Sequence, residues 1–178
     1  MGTPEFAVPS LRSLATSTHK IIAVVTQPDR PKGRSKIPSP SPVKEAAREL
    51  GLQIMQPVNI NEEAVVKQLQ YLSPDCIVVV AFGQFLSIPI INLPRYRCIN
   101  IHASLLPKLR GAAPINWAII QGETTTGVTA VVMTAKMDAG DIIAQKTTPI
   151  FPGENAGELE KRLASMGAEL LIDTLNRI

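Results

Sequence analysis

Asn100 and His102 lie two residues apart in the segment Arg97–Ser104, RCINIHAS. In an extended strand, residues two apart share a face, so the amide and the imidazole point the same way. Two polar side chains at the end of an otherwise apolar strand are costly unless they bond each other or a ligand. An Asn-x-His pair alone is a weak signal. A hydrogen-bonded core histidine beside a structural asparagine is the commoner outcome. Asp138 belongs to the turn Lys136-Met137-Asp138-Ala139-Gly140, where an Asx-type turn is the ordinary explanation. It acquires a chemical role only if the fold brings it to His102, where a carboxylate favours imidazolium and orients the ring. An amide, an imidazole and a carboxylate can polarise a carbonyl, stabilise its tetrahedral oxyanion and move one proton. No nearby serine or cysteine is placed as a nucleophile, so the nucleophile would come from the substrate.

The surrounding chain must position these groups. Ser104-Leu105-Leu106-Pro107 ends the strand, Lys108-Leu109-Arg110-Gly111 forms a cationic loop, and Ala112-Ala113-Pro114 opens a helix. Lys20–Gln27 (KIIAVVTQ) and Asp75–Gly83 (DCIVVVAFG) read as buried strands, the second as a central parallel one. Gly127–Ala135 and Asp141–Ile150 are two more strand candidates. Helices are expected over Phe6–Leu14, Ser41–Leu50, Asn61–Leu72, Pro114–Gln121 and Asn155–Asn176. Ser41 and Asn61 are the expected amino caps of the second and third. Gly167 weakens the last by about 1 kcal/mol. Alternating strands and helices predict an α/β fold, Rossmann-like, with a mostly parallel sheet, helices on both faces and the site at the carboxyl ends of the strands. The opening Gly2-Thr3-Pro4 reads as a turn leading into a helix, the kind of turn that follows a first strand; no strand precedes it here.

The chain has 178 residues, 45% of them hydrophobic and 4% aromatic. That suits one domain whose core rests on aliphatic side chains. The longest apolar run, Ile77–Phe82, is far short of the roughly 20 residues of a membrane helix. There is no secretory leader pattern. Two cysteines, Cys76 and Cys98, and two histidines make neither a disulfide framework nor a metal cage. A cytoplasmic, monomeric protein with no metal and no membrane association is expected. Cys76, Cys98, Trp117 and Met133 read as packing residues and His19 as a surface residue.

Net charge is +3, and its distribution matters more. Between Thr26 and Lys44 stand Arg30, Lys32, Arg34, Lys36 and Lys44 against the single acid Asp29, along with five prolines. The remainder of the chain is nearly neutral. A solvated loop is the ordinary reading of such a run. A proline-restrained display of cations also suits the phosphates of a nucleic-acid backbone. It lacks the interleaved aromatics that stack bases.

Several motifs combine: Gly2-Thr3-Pro4-Glu5-Phe6-Ala7, Thr26-Gln27-Pro28-Asp29-Arg30-Pro31, Pro40-Ser41-Pro42-Val43-Lys44, Val79-Val80-Ala81-Phe82-Gly83, Cys98–Pro107, Arg110-Gly111-Ala112-Ala113-Pro114-Ile115 and Met137-Asp138-Ala139-Gly140-Asp141. In this order they resemble the amino-terminal catalytic domain of the methionyl-tRNA formyltransferases over nearly the whole chain. The resemblance implies transfer of a formyl group from 10-formyltetrahydrofolate to the amino group of methionyl initiator tRNA, for translation initiation. It implies that Asn100, His102 and Asp138 are the catalytic trio. Ser104, Leu105, Leu106 and Pro107, with Ala81, Phe82, Gly83 and Phe85, would line the folate site. Arg30, Lys32, Arg34 and Lys36 would meet tRNA, Arg34 most critically. It also implies a chain that is one catalytic domain, 1–178, lacking the family's first apolar strand and its carboxyl-terminal barrel. A sibling formyltransferase or hydrolase with a small-molecule acceptor, or an inactive binding fragment, remains the alternative.

Overall fold

The computed structural model describes residues 1–31 and 37–178. Lys32, Arg34 and Lys36 lie outside the described residues, so the expectation placed on them has no structural counterpart here. In chain order, a 3-10 turn (Glu5–Ala7) leads into α1 (Val8–Ala15), then β1 (Val24–Val25), β2 (Arg30–Pro31), β3 (Pro38–Ser39), α2 (Pro42–Glu49), β4 (Ile54–Met55) and α3 (Glu63–Leu72). There follow β5 (Ile77–Val79), α4 (Ile88–Ile91), β6 (Cys98–His102), α5 (Pro114–Ile120), β7 (Thr125–Val132), β8 (Ile142–Pro149) and α6 (Ala156–Leu175).

Local chemistry explains the boundaries of several elements. Ser41 caps α2, its Oγ accepting from the Lys44 N–H at 3.1 Å, with Pro42 in the first turn. Asn155 and Glu158 close a capping box at the start of α6. Gly167 sits where a Cβ would stand 3.0 Å from Ile101 Cγ2. Its absent side chain lets α6 lie close on β6, which offsets its poor helix propensity.

β1 pairs in parallel with β4, and β5 in parallel with β6. The sheet then continues antiparallel through β7 and β8. The parallel arrangement therefore holds in the amino-terminal part, and the hairpin β7–β8 adds an antiparallel edge. Met1 and Gly2 join the two parts. Gly2 donates to the Val25 carbonyl at 3.0 Å and bridges Val80 in parallel, while the Val80 N–H donates to the Met1 carbonyl at 2.9 Å.

Helices cover both faces. Along β5 and β6 the side chains alternate: Val80, Ile99 and Ile101 join a core with α1, α2 and α6 residues such as Leu11, Ala47 and Leu163. Ile77, Val79 and Cys98 join a second core with Leu69 of α3 and Ile90 of α4.

Three expectations need correction. Only Val24–Val25 of the segment Lys20–Gln27 is paired, because β1 has a strand neighbour on one side alone. Asn61 does not cap α3: its side chain spans instead to the chain beyond β5, donating to the Phe85 carbonyl at 2.9 Å and accepting from the Ser87 N–H at 2.8 Å. Trp117 is half exposed rather than packed.

Candidate active site

Asn100 and His102 project from β6 on the face opposite the α6 core, into a cleft of about 590 Å3 beyond the ends of β5 and β6. That volume is within the range of small-ligand sites. Ala81, Phe82, Gly83 and Phe85 form one wall, Gly111–Asn116 another, and Val131–Asp138 a third. Phe85 is strongly exposed at the mouth, and Met133 is a lining residue as well as a packing one, its Sδ accepting from Cys98 Sγ at 3.4 Å.

The turn after β7 carries Asp138 to the two β6 side chains. Asn100 Nδ2 donates to Asp138 Oδ1 at 3.3 Å. Asp138 Oδ2 accepts from the Gly111 N–H at 2.9 Å and lies 3.6 Å from His102 Nδ1. The His102 and Asp138 side chains are 8% and 11% exposed, so this charge geometry is largely shielded from water. His102 Nε2 stands 3.0 Å from the Leu109 carbonyl oxygen. That oxygen can only accept, so Nε2 carries a proton and donates it.

The backbone around the cleft is strained. Ala81, Leu109, Ala113 and Asp138 all adopt left-handed conformations (φ 47, 54, 53 and 47°). They are four of the six described non-glycine residues that do so. Such residues cost of order 1 kcal/mol each and persist where the surroundings over-determine them, as at ligand sites. Leu109 and Gly111 carried no assigned role in the sequence; their contribution is through main-chain atoms, which residue identity does not reveal.

Ser104, Leu105, Leu106 and Pro107 stand outside the cleft lining. Ser104 is fully buried and its Oγ donates to the Lys108 carbonyl at 2.7 Å. Thr129 Oγ1 donates to the Ser104 carbonyl and accepts from the Leu106 N–H and from Gln145. This segment folds the turn after β6 rather than facing the cleft, because its polar groups are consumed by the end of β7.

Arg30 is exposed on β2, its Nη2 donating to Gln27 Oε1 at 3.2 Å. Lys44 is not a free cation. It is buried, and its Nζ donates to both Asp29 oxygens at 2.7 and 2.6 Å. Hydrogen bonds from Lys44 and then Gln56 hold the Asp29 carboxyl below its ordinary value. Gln27 Nε2 in turn donates to the Phe82 carbonyl at 3.3 Å, so the stem of the basic segment is tied to the cleft wall. Cys98 is fully buried and Cys76 half-buried, and burial pushes their thiols up to about 12 and about 11. His19 Nε2 meets Asn176 Oδ1 at 3.1 Å, far from the cleft.

The fold is shared with solved structures. The phosphoribosylglycinamide formyltransferase of Bacillus halodurans superposes with a TM-score of 0.79 at 23% identity, covering 99% of this chain and 90% of that one. A family model described as formyl transferase matches residues 1–175, and the chain belongs to that family. Its sequence is 49% identical over 178 residues to the methionyl-tRNA formyltransferase of Citrifermentans bemidjiense, covering all of this chain and 56% of that protein. It is 52% identical over 176 residues to the methionyl-tRNA formyltransferase of Geotalea uraniireducens, covering 99% and 56%. The chain thus spans little more than half the length of these relatives. Among the described residues no helix is long and apolar enough to cross a membrane.

Proposed function

We propose that this chain is the formyl-transferring part of an enzyme that moves a formyl group from 10-formyltetrahydrofolate to the amino group of methionyl initiator tRNA, in the cytoplasm. The carrying observation is the convergence of Asn100 and His102 from β6 and Asp138 from the turn after β7 on one shielded point of the cleft. The names of the relatives at about half identity point to the acceptor.

The cleft fits the donor: its walls are mostly apolar, with Asn100, His102 and Asp138 among the polar groups that line it. Bound there, the folate supplies a formyl group whose carbon accepts the methionyl nitrogen and whose N10 departs. Asn100 has a second amide N–H free of Asp138, and it is directed at the formyl oxygen. His102 Nε2–H is the second donor to that oxygen. The Leu109 carbonyl now occupies the acceptor position that the formyl oxygen takes, so the segment Lys108–Ala113 yields as donor enters. Asp138 orients the imidazole and favours its charged form as the oxyanion develops. A proton leaves the attacking amine and one reaches N10, so the exchange is balanced without net acid or base.

On this reading Arg30, Lys32, Arg34 and Lys36 meet the phosphates of the tRNA. The test is an acceptor comparison with labelled 10-formyltetrahydrofolate. Label should enter methionyl initiator tRNA and neither uncharged tRNA nor glycinamide ribonucleotide. Transfer to the small acceptor instead would overturn the tRNA reading, and formate release without acceptor would make the site a hydrolase.

A further inference from the structure

The cleft wall between β5 and α4 is irregular chain. From Ala81 to Leu86 no main-chain N–H bonds to another main-chain group among the described residues. Side chains from neighbouring loops hold this wall instead. The Phe82 carbonyl accepts from Thr3 Oγ1 at 2.8 Å and from Gln27 Nε2 at 3.3 Å. Phe82 and Leu86 are also buried in the second core. Phe85 between them is 72% exposed and lines the cleft. Burial therefore does not fix its position, and hydrogen bonds to its main chain must.

Those bonds form a reciprocal clasp with the segment 57–61. Gln84 reaches out from the wall. Its Oε1 accepts from the Ile60 N–H at 2.8 Å, and its Nε2 donates to the Pro57 and Val58 carbonyls at 3.4 and 3.3 Å. Asn61 reaches back. Its Nδ2 donates to the Phe85 carbonyl at 2.9 Å, and its Oδ1 accepts from the Ser87 N–H at 2.8 Å. One amide thus brackets Leu86 from both sides. The other half of the clasp is anchored by Ile60, which is fully buried. Asn61 itself is exposed and is no part of the cleft lining. Bonds so open to water add little to global stability. An exposed amide that spends a donor and an acceptor on one stretch of cleft wall has a local task.

We propose that Asn61 is a positioning residue for the formyl donor: through the main chain of Phe85 and Ser87 it holds the Phe85 ring at the cleft mouth, with Gln84 locking the same wall from the opposite direction. The proposal rests on the cleft being the 10-formyltetrahydrofolate site. The Phe85 ring is an apolar face on which an aromatic ring of the donor can pack. The clasp acts on donor affinity and not on the transfer step, because Asn100, His102 and Asp138 are held by β6 and by the turn after β7.

Calorimetric titration of 10-formyltetrahydrofolate into the 178-residue chain reads the donor Kd. Failure of the parent chain to bind would remove the cleft as the donor site, and this proposal with it. Given binding by the parent, Asn61→Ala should raise Kd about tenfold, while the melting temperature stays within about 3 °C. Asn61→Asp keeps the acceptor for Ser87, loses the donor to Phe85, and should weaken binding in the same direction. Phe85→Ala should weaken binding as well. Adding Asn61→Ala to it should cost less than about twofold more, because the amide acts through that residue. Amide exchange at Ser87 should quicken in Asn61→Ala. In formyl transfer the KM for the donor should rise with Kd, while kcat and the KM for tRNA stay within about twofold. A parent-like Kd in Asn61→Ala would overturn the proposal, and so would full additivity with Phe85→Ala. A melting temperature lowered by more than about 5 °C, with kcat and both KM values moved together, would make Asn61 a general structural residue and overturn it too.

Discussion

The imidazole of His102 gives its Nε2 proton to the carbonyl oxygen of Leu109 at 3.0 Å, and Leu109 holds that oxygen in place with a left-handed backbone at φ 54°. On the proposed function, a main-chain carbonyl thereby rests where the formyl oxygen would be polarised. Replacing Leu109 with glycine removes the side-chain penalty at this φ and should leave the thermal midpoint within about 2 °C of the parent. Leu109→Val, β-branched at the same φ, should cost about 1–2 kcal/mol. Thermal unfolding of the two variants checks the pair, and equal midpoints would show that the conformation is not enforced.

Gly140 fixes the turn that delivers Asp138. A Cβ there would be driven into the carbonyl oxygen of Val132, so the backbone must shift. Gly140→Ala should lower stability by about 2 kcal/mol. It should also pull Asp138 away from Asn100 and Gly111. Formyl transfer should fall by at least tenfold while the far-ultraviolet spectrum stays native-like.

Much of this was readable from residue patterns, for identifiable reasons. The period of two along Cys98–His102 placed Asn100 and His102 on one face, and the structure has them there. The helix start marked by Ser41-Pro42 fell where capping chemistry puts it, and the helix expected over Asn155–Asn176 from its apolar spacing is α6. The expectation for Asn61 failed because a capping side chain has the same chemistry as one that bridges two loops, and only the tertiary fold chooses between them. The reach of Asp138 to His102 depends on the antiparallel register of β7 on β6, where His102 faces Thr129, and no local signal encodes that register. The folate role expected of Ser104–Pro107 came from the family resemblance and not from a local signal. The segment's polar groups are in fact spent on Lys108 and Thr129. The neutralisation of Lys44 by Asp29 likewise needed the fold, since the two are 15 positions apart.

Arg34 carries the expectation of tRNA contact. Arg34→Ala should weaken tRNA binding and reduce the slope of log affinity against log salt by about 0.7–0.9, with folate binding unchanged. An unaltered slope would remove this segment from the tRNA interface.

The central claim is that Asn100 and His102 stabilise the developing oxyanion of formyl transfer. Single-turnover transfer of labelled formyl from 10-formyltetrahydrofolate to methionyl initiator tRNA measures this most directly. Asn100→Ala and His102→Ala should each slow the transfer step by about 10²–10³ while donor binding holds. Transfer by either variant at the parent rate would contradict the account.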